Sequence, residues 1–233
     1  MPSKGIIVNK LNEYQSEAFK NADKVIIDLT DTLIKGKALY GAVLVLKDKL
    51  KKGKFKDAAK LTLGASKYYV ASHLTGRSKS PYDHWDLDNR FLEGVYLCMD
   101  HANVEEKELD DAIEKYLGLK FIQNNGKEFV SKARNYGKKK KVILLTREAE
   151  NSAKAVKKMY DFDDAFHNNV RYRGLNRTIN DAEIIIKKPE DKLKILKNGI
   201  GDISTSVVVS SNPEDPEVYK GKIGLLLTSV PEL

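Results

Sequence analysis

An uninterrupted apolar run, Val25-Ile26-Ile27, ends in Asp28, and Thr30, Asp31 and Thr32 follow within four positions. A run this short reads as a buried strand. A carboxylate at the carboxyl end of such a strand lies where open α/β sheets bind ligands. There it can hold Mg²⁺ or attack phosphorus. The same order also suits a strand that feeds a helix whose first N–H groups are capped by Asp and Thr side chains.

The order Asp-x-Thr-x-Thr-Leu resembles the first motif of the haloacid dehalogenase superfamily, which is mostly phosphatases and phosphotransferases. The usual form is Asp-x-Asp-x-Thr. On that resemblance Asp28 takes the nucleophile position and Thr32 the terminal threonine, while Thr30 replaces the second aspartate, as in P-type ATPases. Three later segments resemble the remaining motifs, in order. Val142-Ile143-Leu144-Leu145-Thr146-Arg147 is a strand ending in a hydroxyl able to bond a phosphoryl oxygen, with Arg147 grouped beside it as a phosphate ligand. Ala182–Pro189 brings the lysine that neutralises phosphoryl oxygens and nucleophile. Lys188 is the first choice, with Lys187 and Lys192 left open. Ser206–Ser211 followed by Asn212-Pro213-Glu214-Asp215 places Ser211 and Asp215 on the metal side. The text around the second motif, with Asp161–Phe166 and Asn168–Tyr172, resembles phosphoserine phosphatase-like members.

The resemblance implies a Mg²⁺-dependent phosphomonoester hydrolase of a small phosphorylated metabolite, acting through an aspartyl-phosphate on Asp28. Thr30, Thr146 and Lys188 would be the other catalytic residues, with Asp28, Thr30, Ser211 and Asp215 on the metal. Two departures bear on rate. Thr30 cannot transfer protons as an aspartate does, a function worth roughly 10²–10⁴-fold. Ser211 offers a hard cation a neutral oxygen instead of a carboxylate. The alternative is a weakened or inactive member of the same fold that serves as a binding module.

The motif order predicts an α/β fold: a doubly wound, mostly parallel sheet with strands near 25–29, 142–146, 182–187, 206–210 and 222–227. Residues 1–34 and 122–233 would build this core. The first two motifs lie more than a hundred residues apart, whereas a crossover needs about a dozen. Residues 35–121 are therefore expected to form an inserted helical cap. Ala38–Lys51, Phe55–Leu74, Asp88–His101 and Glu105–Leu117 carry apolar residues at helical spacing, and Asn103 is expected to cap the last helix. Thr75–Asp86 reads as a loop, and Phe121–Tyr136 as a turn and helix. Arg77 and Arg90, the insert's two arginines, are candidates for an anionic substrate group.

The chain has 233 residues and a net charge of +8, which favours anionic partners such as phosphorylated metabolites. Lys47–Lys60 is dense in lysine, but no aromatic reading motif accompanies it, so nucleic acid is not the expected partner. Cys98 is the single cysteine, which excludes an intrachain disulfide, and it reads as a core thiol. No segment is apolar and long enough to span a membrane, and cytoplasm is the expected location. No pattern sets the oligomeric state.

Overall fold

The structure, a computed structural model, describes residues 9–29, 32–33, 41–63, 83–116 and 124–233. Its centre is the first apolar run, β2 (Lys24–Asp28), which follows a two-residue strand β1 (Asn9–Lys10) and helix α1 (Glu13–Asn21). β2 pairs in parallel with β3 (Lys141–Ala149) on one side and β6 (Val207–Val209) on the other. The sheet is completed by β4 (Asp164–Arg173), β5 (Thr178–Glu183) and β7 (Leu225–Leu227), in the order β5-β4-β3-β2-β6-β7. All pairings are parallel except β4 with β5. Pro231–Glu232, β8, pairs with β1.

Side chains alternate across a strand, and both faces of this sheet are covered. Val25 and Ile27 join one apolar cluster with Phe19 of α1, Phe129 and Val130 of α6 (Asn124–Asn135) and Val156 of α7 (Glu150–Tyr160). Ile26 joins the other, with Leu196 of α8 (Pro189–Ile200) and Tyr219 of α9 (Asp215–Tyr219). The result is the doubly wound α/β core expected. From β2 the chain adds β3 and β4 on one side, then returns to add β6 and β7 on the other. The strand order therefore reverses between β2 and β6, and a crevice for ligands opens at such a point.

The helical stretch is present in its described parts. α2 (Gly41–Lys51), α3 (residues 55–63) and α5 (Glu106–Tyr116) fall within the expected helices, and α4 (Asp83–His101) contains the expected Asp88–His101 and starts earlier. Val45, Leu61, Tyr96, Met99, Leu109 and Ile113 belong to the same apolar cluster as Val25 and Ile27. α4 packs against β5, α5 against α7 and α2 against α5. The buried Lys49 ammonium meets Glu108 at 3.0 Å and ties α2 to α5. Among the described residues, no helix is long and apolar enough to cross a membrane.

Three local expectations change. Residues 184–187 are not a strand: the sheet instead gains the β4–β5 hairpin, whose strand ends at Glu183. Residues 83–86 open α4 instead of ending a loop, and the rest of Thr75–Asp86 lies outside the described residues. Asn103 does not cap α5. It follows α4 with φ at +48°, its N–H donating to Asp100, while the Glu106 N–H donates to the Arg177 carbonyl. Asparagine tolerates this left-handed conformation better than most residues. The turn Lys138–Lys141 feeds β3. Lys140 is buried, and its ammonium donates to the carbonyls of Lys20, Tyr136 and Lys138. Burial lowers its pKa below the ordinary lysine value.

Candidate active site

Alternation sets where Asp28 points. It lies two residues beyond Ile26, on the face covered by α8, and it closes β2 at the carboxyl end. Pro189 opens α8 at a position where its missing N–H costs nothing. Asp191 accepts the N–H groups of Lys187 and Lys188 and fixes the helix start. One turn in, Lys192 shares the buried face with Leu196, four residues on. Its ammonium, fully buried, donates to Asp28 Oδ2 at 2.6 Å and to both Asp215 oxygens at 3.1 and 3.2 Å.

The neighbouring strand β6 supplies the other side. Val209 is the register partner of Ile27, so Ser210 comes beside Asp28. The Ser210 hydroxyl donates to Asp28 Oδ2 at 3.3 Å and accepts from the Asn212 N–H at 3.2 Å. Ser211 turns to Thr32: its N–H donates to the Thr32 hydroxyl at 3.0 Å, and the two hydroxyls lie 3.1 Å apart. Asp28 Oδ1 accepts the Leu29 N–H at 2.7 Å.

Burial works against the Lys192 ammonium, but the charges of Asp28 and Asp215 outweigh it and hold its pKa above the usual lysine value. Burial, reinforced by the charge of Asp28, raises the Asp215 carboxyl despite the opposing Lys192. Two carboxyl groups and one ammonium thus meet in one buried cluster.

Thr146 follows Leu145, the register partner of Asp28 on β3, and so lies level with the carboxyl end of β2, while β3 itself runs on to Ala149. It is buried, and its hydroxyl accepts the Glu148 N–H at 3.0 Å, keeping its own proton to donate. Arg147 is half-buried, with its guanidinium donating to Asn89 of α4 at 3.2 Å; Asn89 in turn donates to the Lys187 carbonyl at 2.9 Å. Lys188 sits at the start of α8, and it is Lys192 that reaches the carboxylates. Thr30, Asp31 and Arg77 lie outside the described residues, and Arg90 is exposed on α4.

Sequence reading passed over Asn168. This buried β4 side chain donates to the Arg147 carbonyl at 2.6 Å and accepts from the N–H groups of Ile185 and Ile186 at 2.8 and 2.9 Å. It joins the end of β3 to the segment that delivers α8. An asparagine in a polar strand, here beside Asn169, carries no sequence signal for this.

Among the described residues, no three His, Cys, Asp or Glu side chains converge as a metal cluster. Mg²⁺ needs less, because it keeps several waters and takes one or two carboxylates plus substrate phosphate oxygens. Asp28 Oδ1, which accepts the Leu29 N–H, retains lone-pair capacity, the Ser211 hydroxyl stands on the loop after β6, and Asp215 opens α9 at the end of that loop. This donor set fits a hydrated Mg²⁺.

No protein-family model matches the chain, and no curated protein matches it. Solved structures do. A phospho-aspartyl intermediate analogue of phosphoserine phosphatase is 13% identical with a TM-score of 0.54, covering 91% of this chain and 95% of that one. A phosphoserine phosphohydrolase-like protein from Francisella tularensis is 13% identical with a TM-score of 0.55, covering 88% and 85%. Cytosolic 5'-nucleotidase IIIB bound to cytidine is 11% identical with a TM-score of 0.58, covering 90% and 74%. The chain shares the overall α/β fold of these phosphatase structures.

Proposed function

We propose that the protein is a phosphomonoesterase of small phosphorylated metabolites that uses Asp28 as nucleophile. The observation that carries this reading is the buried Lys192 ammonium 2.6 Å from Asp28, at the carboxyl end of a central strand beside the switch point. A cation fixed there holds the carboxylate in one orientation. Asp28 would attack phosphorus and displace the alcohol, and water would then release phosphate from the aspartyl-phosphate. The Thr146 hydroxyl and the Arg147 guanidinium would bind non-bridging oxygens, where charge collects in the transition state. Mg²⁺, held by Asp28 and Asp215 with the Ser211 hydroxyl and the Thr30 carbonyl, would supply further charge neutralisation. The helices of residues 35–121 would act as the cap, and the Asn89 bridge to Arg147 and Lys187 supports this reading.

One observation favours a weakened site as the second reading. Lys192 engages both Asp215 oxygens, and Ser211 is bonded to Thr32, so groups on the metal side are already partly satisfied within the protein. Phosphate release from a panel of monoesters separates the two, with Mg²⁺ or EDTA present and Asp28→Asn as control. Mg²⁺-dependent turnover that disappears in Asp28→Asn supports the enzyme. Absence of turnover on the whole panel favours the binding module.

A further inference from the structure

Residues 41–63 hold seven lysines against two aspartates, which is five of the chain's net +8. Where α2 turns into α3, Leu50-Lys51-Lys52-Gly53-Lys54-Phe55-Lys56 is exposed at every position. The tip is a tight turn: Gly53 takes φ +70°, and the Gly53 and Lys54 N–H groups close back on Leu50 and Lys49 carbonyls. Phe55 is 67% exposed and Leu50 46% exposed, and Leu63, at the far end of described α3, is 70% exposed. Half of the large exposed hydrophobic side chains among the described residues therefore fall within this one lysine-rich element.

Lysines alone would be an ordinary solvated surface. A phenylalanine and a leucine set among four lysines, on a tip with no acid of its own, have the composition of an interfacial element. Such elements place Phe and Leu at the acyl boundary and lysines at the headgroups. An anionic leaflet attracts a basic cluster of this size. A nucleic-acid strand fits less well. Leu50 offers no stacking face. The groove of about 530 Å³ behind the tip, between α2 and α5, mixes lysines with Asp48, Glu105, Glu108 and Asp111, so a polyanion laid along it would meet four carboxylates. A membrane would meet the tip's own lysines, Lys51, Lys52 and Lys54, from outside.

We propose that the α2–α3 tip docks the protein on an anionic lipid surface. Phe55 and Leu50 enter the boundary, and Lys51, Lys52, Lys54 and Lys56 lie over the headgroups. Lys52 pairs with Asp48 at 2.6 Å in the free protein, and this exposed pair opens at little cost. The assignment does not depend on the chemistry at Asp28.

Co-sedimentation of the full chain with vesicles tests it. Vesicles of phosphatidylcholine and phosphatidylserine in equal parts should carry the protein down at physiological salt, and phosphatidylcholine alone should not. Lys51→Gln with Lys54→Gln should weaken binding about thirtyfold. Phe55→Ser should weaken it by about tenfold or more. Melting temperature should hardly move in either variant, since these side chains are exposed. Equal binding to both vesicles, binding to neither, or anionic binding that ignores Phe55→Ser overturns the proposal. Tighter binding to a duplex DNA than to the anionic vesicles reassigns the patch to nucleic acid.

Discussion

The Nζ of Lys192 lies 2.6 Å from Oδ2 of Asp28 across 164 residues of sequence, and the same ammonium reaches Asp215. Three chain segments thus meet at one buried cation. Without it, two carboxylates face each other away from water. Lys192→Met should destabilise the fold by about 3–5 kcal/mol, as removal of one partner from a buried pair does. Urea unfolding near neutral pH measures this, and a loss under about 1 kcal/mol would show that water screens the site. The pH dependence has a definite sign. The folded-state pKa of Lys192 stands above its ordinary value of 10.5. Its contribution is therefore complete below that value and lost as pH rises through the folded pKa. Wild type should lose stability in strongly alkaline solution, and Lys192→Met should lack that component.

Asn168→Ala removes one donor and one doubly used acceptor from a buried position. Orphaned buried polar groups cost about 1–3 kcal/mol each. The expected loss is about 2–4 kcal/mol by thermal or urea unfolding. Where the variant remains folded, turnover should fall through misplacement of α8 while Mg²⁺ affinity changes little.

Ser211→Asp should lower the Mg²⁺ concentration needed for activity, since a charged oxygen replaces a neutral one beside Asp215. Its N–H can still donate to Thr32, so the loop is retained. A tenfold smaller half-saturating Mg²⁺ is a reasonable scale, about 1.4 kcal/mol of added interaction. Titration of turnover against Mg²⁺ reads it, and an unchanged requirement would place Ser211 off the metal.

Cys98 is 3% exposed, and burial raises its thiol pKa above the ordinary 9.0. Thiolate is the reactive form. At mildly alkaline pH a disulfide reagent such as Ellman's should label the folded protein slowly and the urea-unfolded protein at once. Rapid labelling of the folded state would mean that α4 opens readily.

The parts of this fold that were legible in sequence are those where burial dictates composition. β2, β3 and β6 read as strands because their central positions admit only apolar residues, and each apolar run is followed by a polar residue of the site, Asp28, Thr146 and Ser210. The β4–β5 hairpin was not legible. Arg171, Asp181 and Glu183 pair across its exposed face and give it the look of a charged loop. The lysine of the site was ambiguous among 187, 188 and 192 because distance from a strand does not separate them. Helical phase does: Lys192 lies four residues before Leu196, on the buried stripe of α8, whereas Lys188 precedes the helix. Asn168 acts through three hydrogen bonds to other segments, and such contacts leave no local pattern.

The account rests on a phosphoryl group reaching Asp28. Wild-type protein incubated with Mg²⁺ and a turned-over monoester, quenched in acid and digested, should yield the Asp28 peptide carrying one phosphate, as read by mass spectrometry. The same peptide from Asp28→Asn should carry none. Phosphate released in multiple turnovers from wild type with no such adduct, or release that persists in Asp28→Asn, would contradict the account.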